Sequence, residues 1–117
     1  MSMIEELKNL GVDVEEGMDR VMGDTSLYEM MLGMFVDSVR DNPVRPEDFD
    51  SGSTDAVAKT LHMLKGVTGN LAIVPLFDGY TESLTFLRGG QVQKAKARFQ
   101  EILPAQEKII ACISQSR

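Results

Sequence analysis

The sequence predicts an all-α fold, an antiparallel four-helix bundle with a short additional N-terminal helix. Three observations carry that expectation. Apolar residues recur at three-to-four spacing through most of the chain, nothing alternates as a strand, and the long helical stretches are joined by short connections that make neighbours antiparallel. With 117 residues, 43% of them apolar, the chain is long enough for one domain with its own core, needing neither metal nor disulfide. That single domain is expected over 1–117, with its core at about 11–114.

The elements follow in order. Asp13 is a candidate N-cap with Glu16 three residues on, and Val14, Met18, Val21 and Met22 make a short amphipathic segment before Gly23. Asp24 or Ser26 caps the next helix, where Leu27, Met31, Met34, Phe35 and Ser38 recur up to about Arg40. The methionines Met18, Met22, Met30, Met31 and Met34 are expected to fill the seam between these two helices. Pro43, Pro46 and Gly52 mark 42–52 as a loop with room for one helical turn at Pro46 to Phe49. Ser53 or Thr54 starts a helix whose stripe of Val57, Leu61, Leu64, Thr68 and Leu71 faces the core. Pro75 suits a first helical turn, and Leu76, Tyr80, Leu84 and Leu87 form the core face of a helix ending at Gly89 and Gly90. A last helix from about Gln91 to Ser114 sets Val92, Ala95, Phe99, Ile102, Ile109 and Ile113 on one side, with Gln106 interrupting the stripe and Pro104 expected to bend it. Phe35, Phe77, Tyr80, Phe86 and Phe99 are read as core or core-edge aromatics.

Composition removes several function classes. The single cysteine, Cys112, has no internal partner, which fits a reducing cytoplasm and leaves no Cys-based zinc site. No stretch has the length and apolarity of a membrane span, and the N-terminus lacks the pattern of a signal peptide, so a cytoplasmic protein is expected. A net charge of -6 works against nucleic acid and anionic lipid as partners. The charge is uneven: residues 1–50 carry thirteen acids and four bases, whereas 51–117 carry five acids and eight bases together with the only histidine.

That histidine carries the chemical expectation. At 100° per residue, His62 points roughly 140° from the core stripe of its helix, and Gly66 and Gly69 lie on the same exposed ridge, flanked by Lys65. Interior helical glycines cost about 1 kcal/mol each relative to alanine, and their use here is clearance for another protein to approach the imidazole. A neutral imidazole nitrogen is a competent nucleophile toward an activated phosphoryl group, and Lys65, one turn away, can offset the oxygen charge.

The segment Leu61-His62-Met63-Leu64-Lys65-Gly66-Val67-Thr68-Gly69-Asn70-Leu71 resembles the signature of histidine-containing phosphotransfer (HPt) domains of two-component phosphorelays. The runs Gly11 to Gly17 and Gly23 to Tyr28 are similar to the entry of the first two helices of bacterial members, so the resemblance extends over about residues 11–113. Ala72 and Ile73 stand where members often have Gly and Ala, and Leu61 where they often have a small residue. The resemblance implies that His62 is the phosphoacceptor through Nε2, that Lys65 assists the phosphoryl group and that Gly66 gives a receiver domain access. Gly69, Ala58 and Ile73 complete the expected partner-binding set. Expected partners are response-regulator receivers and the receiver of a hybrid histidine kinase, with Mg²⁺ held by the receiver, no cofactor or metal on this chain, and a monomeric state.

An enzyme is not expected. The chain has no Gly-rich phosphate loop followed by Lys-Ser/Thr, no second histidine, and no serine or acid on the His62 face closer than Asp55. The competing reading is a non-catalytic HPt-like helical interaction module, which would not need His, Lys and Gly together at this spacing. The acids Glu15, Glu16 and Asp19 are read as a solvated helix face.

Overall fold

A computed structural model describes residues 2–116; Met1 and Arg117, at the ends of the expected domain, lie outside the described residues. Among those residues the chain is all-helical, with no strand and six α-helices: α1 (Met3–Asn9), α2 (Val14–Arg20), α3 (Thr25–Asp41), α4 (Asp55–Leu71), α5 (Val74–Arg88) and α6 (Val92–Gln115). A 3₁₀ turn, Pro46–Asp50, interrupts the long loop after α3 where Pro46 was expected to start one. No helix among the described residues is long and apolar enough to cross a membrane.

Start signals act as the sequence implies. The Asp13 carboxylate accepts from the Glu16 amide at 3.1 Å, and the Asp24 carboxylate accepts from the Leu27 amide at 3.1 Å, so each satisfies one orphan N–H of its helix. Helix α1 was not anticipated. Its signal is Ser2-Met3-Ile4-Glu5, a serine with glutamate three residues on, and the Ser2 hydroxyl does accept from the Glu5 amide at 3.2 Å.

Helices α4 and α5 pack along each other, as do α5 and α6, while α3 lies against both α4 and α6. The stripes of α4 and α5 are buried as read: Val57, Leu61, Leu64, Thr68 and Leu71 on one, Leu76, Tyr80, Leu84 and Leu87 on the other. Thr68 is tolerated in that apolar row because its hydroxyl donates to the Leu64 carbonyl at 2.7 Å. Along α6, Ala95, Phe99, Ile102, Ile109 and Ile113 are buried, and the helix continues through Pro104. Gln106 interrupts the stripe for a reason: it accepts from the Tyr80 hydroxyl, which is otherwise sealed in the core. The 3₁₀ turn seats Phe49 against Phe99, ring centres 5.5 Å apart, and an Asp50–Lys96 ion pair at 2.5 Å ties the same turn to α6.

Helix α3 corrects the expected register. Its buried residues are Tyr28, Leu32, Gly33, Phe35 and Val36, whereas Leu27 and Met34 face outward. The methionine seam is corrected with it. Met22, Met30 and Met34 are exposed, Met22 almost fully, and of these five methionines Met18 and Met31 pack against the core. Met22 also adopts a left-handed backbone with φ of 57°, beside Gly23 at 77°, and this pair rather than a packed seam makes the turn from α2 into α3.

Candidate functional site

Helix α4 positions the histidine. Its core row rotates His62 outward, and His62 and Gly66 are both exposed one turn apart, with Lys65 half-buried beside them. At its C-terminus α4 closes on Ala72 in the left-handed conformation, φ 56°, with the Ile73 amide donating to the Thr68 carbonyl at 3.0 Å. Glycine is the usual residue there, so alanine holds the turn at a steric cost. The stop places α5 immediately alongside α4.

The two glycines of the ridge differ. A Cβ on Gly66 would meet nothing within 4 Å, which leaves the approach to His62 open. A Cβ on Gly69 would stand 3.2 Å from the Phe77 ring of α5, so this bare backbone serves the packing of α5 on α4 as well as the ridge. The remaining two expected partner contacts are also resolved by burial. Ile73 is wholly buried as the residue before α5, so, contrary to the expected partner contact, its side chain faces the core. Ala58, one turn before His62, is half-buried and packs on the edge of the core.

His62 does not stand on a flat surface. It lines a groove of about 430 Å³ together with Lys65, Gly66 and Gly69 of α4, Ala72 at its end, Phe77 of α5, and Glu16 and Arg20 of α2. The α2 wall is not legible in the sequence, where Glu16 reads as a solvated acid. Arg20 and Glu16 form an ion pair, Nε to Oε1 at 3.2 Å, with each side chain about half exposed. Position i and i+4 on a short helix gives no hint of a histidine 42 residues further on.

The chain itself explains why α2 lies there. The Asp13 amide donates to the Ala72 carbonyl at 2.9 Å, and Gly17 lets α2 approach so closely that a Cβ would lie 2.7 Å from the Leu71 carbonyl oxygen. The groove therefore presents one exposed imidazole, two cations and one carboxylate in a concavity open to solvent. Chemically, this can receive a small anion at the imidazole nitrogen, beside the Lys65 ammonium. Among the described residues no three His, Cys, Asp or Glu side chains converge as a metal cage. Comparison of the chain with protein-family models, with curated proteins and with solved structures returns no match to any of them.

Proposed function

We propose that the chain is a phosphorelay intermediate of the HPt type, in which α3 to α6 form an antiparallel four-helix bundle and His62 of α4 carries the phosphoryl group. The observation that carries this reading is the exposed His62 with Lys65 and the unobstructed Gly66 on one groove. The phosphodonor is an aspartyl phosphate on a response-regulator receiver, including the receiver of a hybrid kinase, and the acceptor is a second receiver in the cytoplasm.

In the accepting step the Nε2 lone pair of neutral His62 forms an N–P bond as the donor's P–O bond breaks. The bonding electron pair stays on the aspartate carboxylate, and Nδ1 keeps its proton. Lys65 offsets charge on the phosphoryl oxygens, and Gly66 leaves room for the donor backbone to bring phosphorus in line with Nε2. The reverse step on another receiver regenerates the neutral imidazole. The chain needs no nucleotide, and Mg²⁺ belongs to the receiver.

The test is incubation of wild type and His62→Gln with phosphorylated receivers. Acid-labile phosphate is expected on wild type alone. Phosphate retained on the Gln variant would overturn the His62 assignment, and no transfer to wild type across a panel of receivers would leave the non-catalytic interaction module as the better reading.

A further inference from the structure

We infer that Arg20 is a second phosphoryl-binding cation of the His62 groove, held in reserve by Glu16 until the phosphoryl group arrives. This rests on the phosphoacceptor reading of His62.

The groove brings four charged or titratable side chains together from two helices: His62 and Lys65 of α4, Glu16 and Arg20 of α2. Lys65 alone contributes one positive charge, whereas a phosphoryl group on nitrogen carries up to two negative ones. Arg20 is the other cation in the groove, and in the resting protein its charge is offset by Glu16 at 3.2 Å. Both side chains of that pair are about half exposed, so the pair is weakly held and easily exchanged. A guanidinium has five N–H donors in a planar fork that matches phosphoryl oxygens, and it can hold one carboxylate while turning toward a second anion. Glu16 then does two things. It keeps the unphosphorylated groove from carrying two uncompensated cations, and it competes with the phosphoryl group for Arg20.

The pair therefore sets how strongly His62 retains its phosphoryl group. Removing Arg20 weakens retention, and removing the Glu16 charge strengthens it. Opposite signs at neighbouring positions of one exposed ion pair are not what a structural surface bridge would give, since loss of either partner then has the same effect.

The experiment uses the full chain and phosphoramidate as donor, with no receiver present. The P–N bond of phosphoramidate breaks with its electron pair going to the leaving nitrogen, ammonia departs, and Nε2 of His62 forms the new N–P bond. At fixed ammonium and total protein concentration, ³¹P NMR gives phosphohistidine and free phosphoramidate, and unphosphorylated His62 follows by difference, which together give the equilibrium constant. Relative to wild type, Arg20→Gln is expected to lower the equilibrium constant by about three- to tenfold, the size of a partly exposed charge-assisted contact. Arg20→Lys restores part of it, Glu16→Gln raises it, and added salt shrinks all three differences. Circular dichroism of each variant checks that the helices are retained. Equal constants for wild type and folded Arg20→Gln overturn the inference while leaving His62 as phosphoacceptor, as does a loss that Lys does not relieve and salt does not change. A wild-type chain that forms no phosphohistidine overturns both.

Discussion

The Tyr28 hydroxyl of α3 donates to the Leu71 carbonyl of α4 at 3.0 Å, a buried bond between residues 43 apart in sequence. It satisfies one of the carbonyls left over at the end of the helix that carries His62. Tyr28→Phe keeps the ring and strands that carbonyl in the core. A loss of about 1–2 kcal/mol is expected, read as a lower midpoint in urea with an unchanged slope.

Gly17, Gly66 and Gly69 are expected to respond differently to alanine. At Gly17 a Cβ would lie 2.5 Å from Cε1 of Tyr28 and 2.7 Å from the Leu71 carbonyl oxygen, so α2 must lift, at about 1–3 kcal/mol. At Gly66 the space is open and the helix gains, by up to about 1 kcal/mol. Gly69→Ala gains less, because the Phe77 ring has to give way by a few tenths of an ångström. Thermal melts of the three variants give the ranking, and Gly66→Gln, folded but slow in transfer, completes the series. A Gly66→Ala variant that melts below wild type would remove clearance as the reason for that glycine.

Lys65→Ala should leave the fold intact, since the side chain is only half-buried on the outer face of α4. Phosphoryl transfer is expected to slow by on the order of ten- to a hundredfold, less than the roughly hundred- to thousandfold cost of losing an enclosed donor to developing oxygen charge, because Lys65 is partly exposed. Rapid-quench transfer assays at low salt, where the charge effect is largest, make the comparison.

How far the sequence could be read depends on how much each helix decides alone. In α4 the apolar row is flanked by Lys, His, Gly and Asn, so one face only can be buried, and the direction of His62 follows. In α3, Leu27, Met30, Met31, Leu32, Met34, Phe35 and Val36 cover most of the circumference, and period alone allows more than one register. What selects the observed one is Tyr28, whose hydroxyl finds its acceptor on another helix. Ile73, expected among the partner contacts, is likewise placed by tertiary structure: the tight turn at Ala72 seals it in the core. The histidine side of the groove was legible because its residues lie within a few turns of each other. The arginine side is made by tertiary docking of α2, which leaves no local pattern.

Thr81 of α5 has a buried hydroxyl with no hydrogen-bond partner among the described residues. Burial of such a group costs free energy that a methyl group of the same shape would not. Thr81→Val is expected to hold or raise stability by about 1 kcal/mol, whereas a polar interior that needs the hydroxyl would lose stability in the same melt.

Stability is expected to fall at alkaline pH. Burial pushes Tyr28 from its ordinary 10.0 up to about 12, with Asp13 adding to the shift, and burial also raises Tyr80. Burial, followed by the neighbouring Glu6, moves the Cys112 thiol from 9.0 to about 11. Each folded-state value lies above the unfolded one, so the unfolded chain loses its protons first. The stabilisation is complete below pH 9, declines first through Cys112, and is lost through Tyr28 between about pH 10 and 12 at up to roughly 1.4 kcal/mol per pH unit. Urea midpoints measured from pH 8 to 11.5 should trace this fall, and Tyr28→Phe should make it shallower. The same shift leaves the Cys112 thiol slow toward alkylating reagents at pH 8.

Helix α2 has only seven residues, too few to persist by its own hydrogen bonds, and it is moored by Gly17 and by the Asp13 amide on Ala72. Its opening therefore requires less free energy than unfolding the helices behind it. In amide hydrogen exchange, α2 should lose protection well before the core rows of α4 and α5. Each such opening takes Arg20 and Glu16 together away from a histidine that stays in place, so the groove exchanges a two-walled form for an open one at unchanged net charge. Whatever docks across both walls closes that opening and slows the exchange of α2.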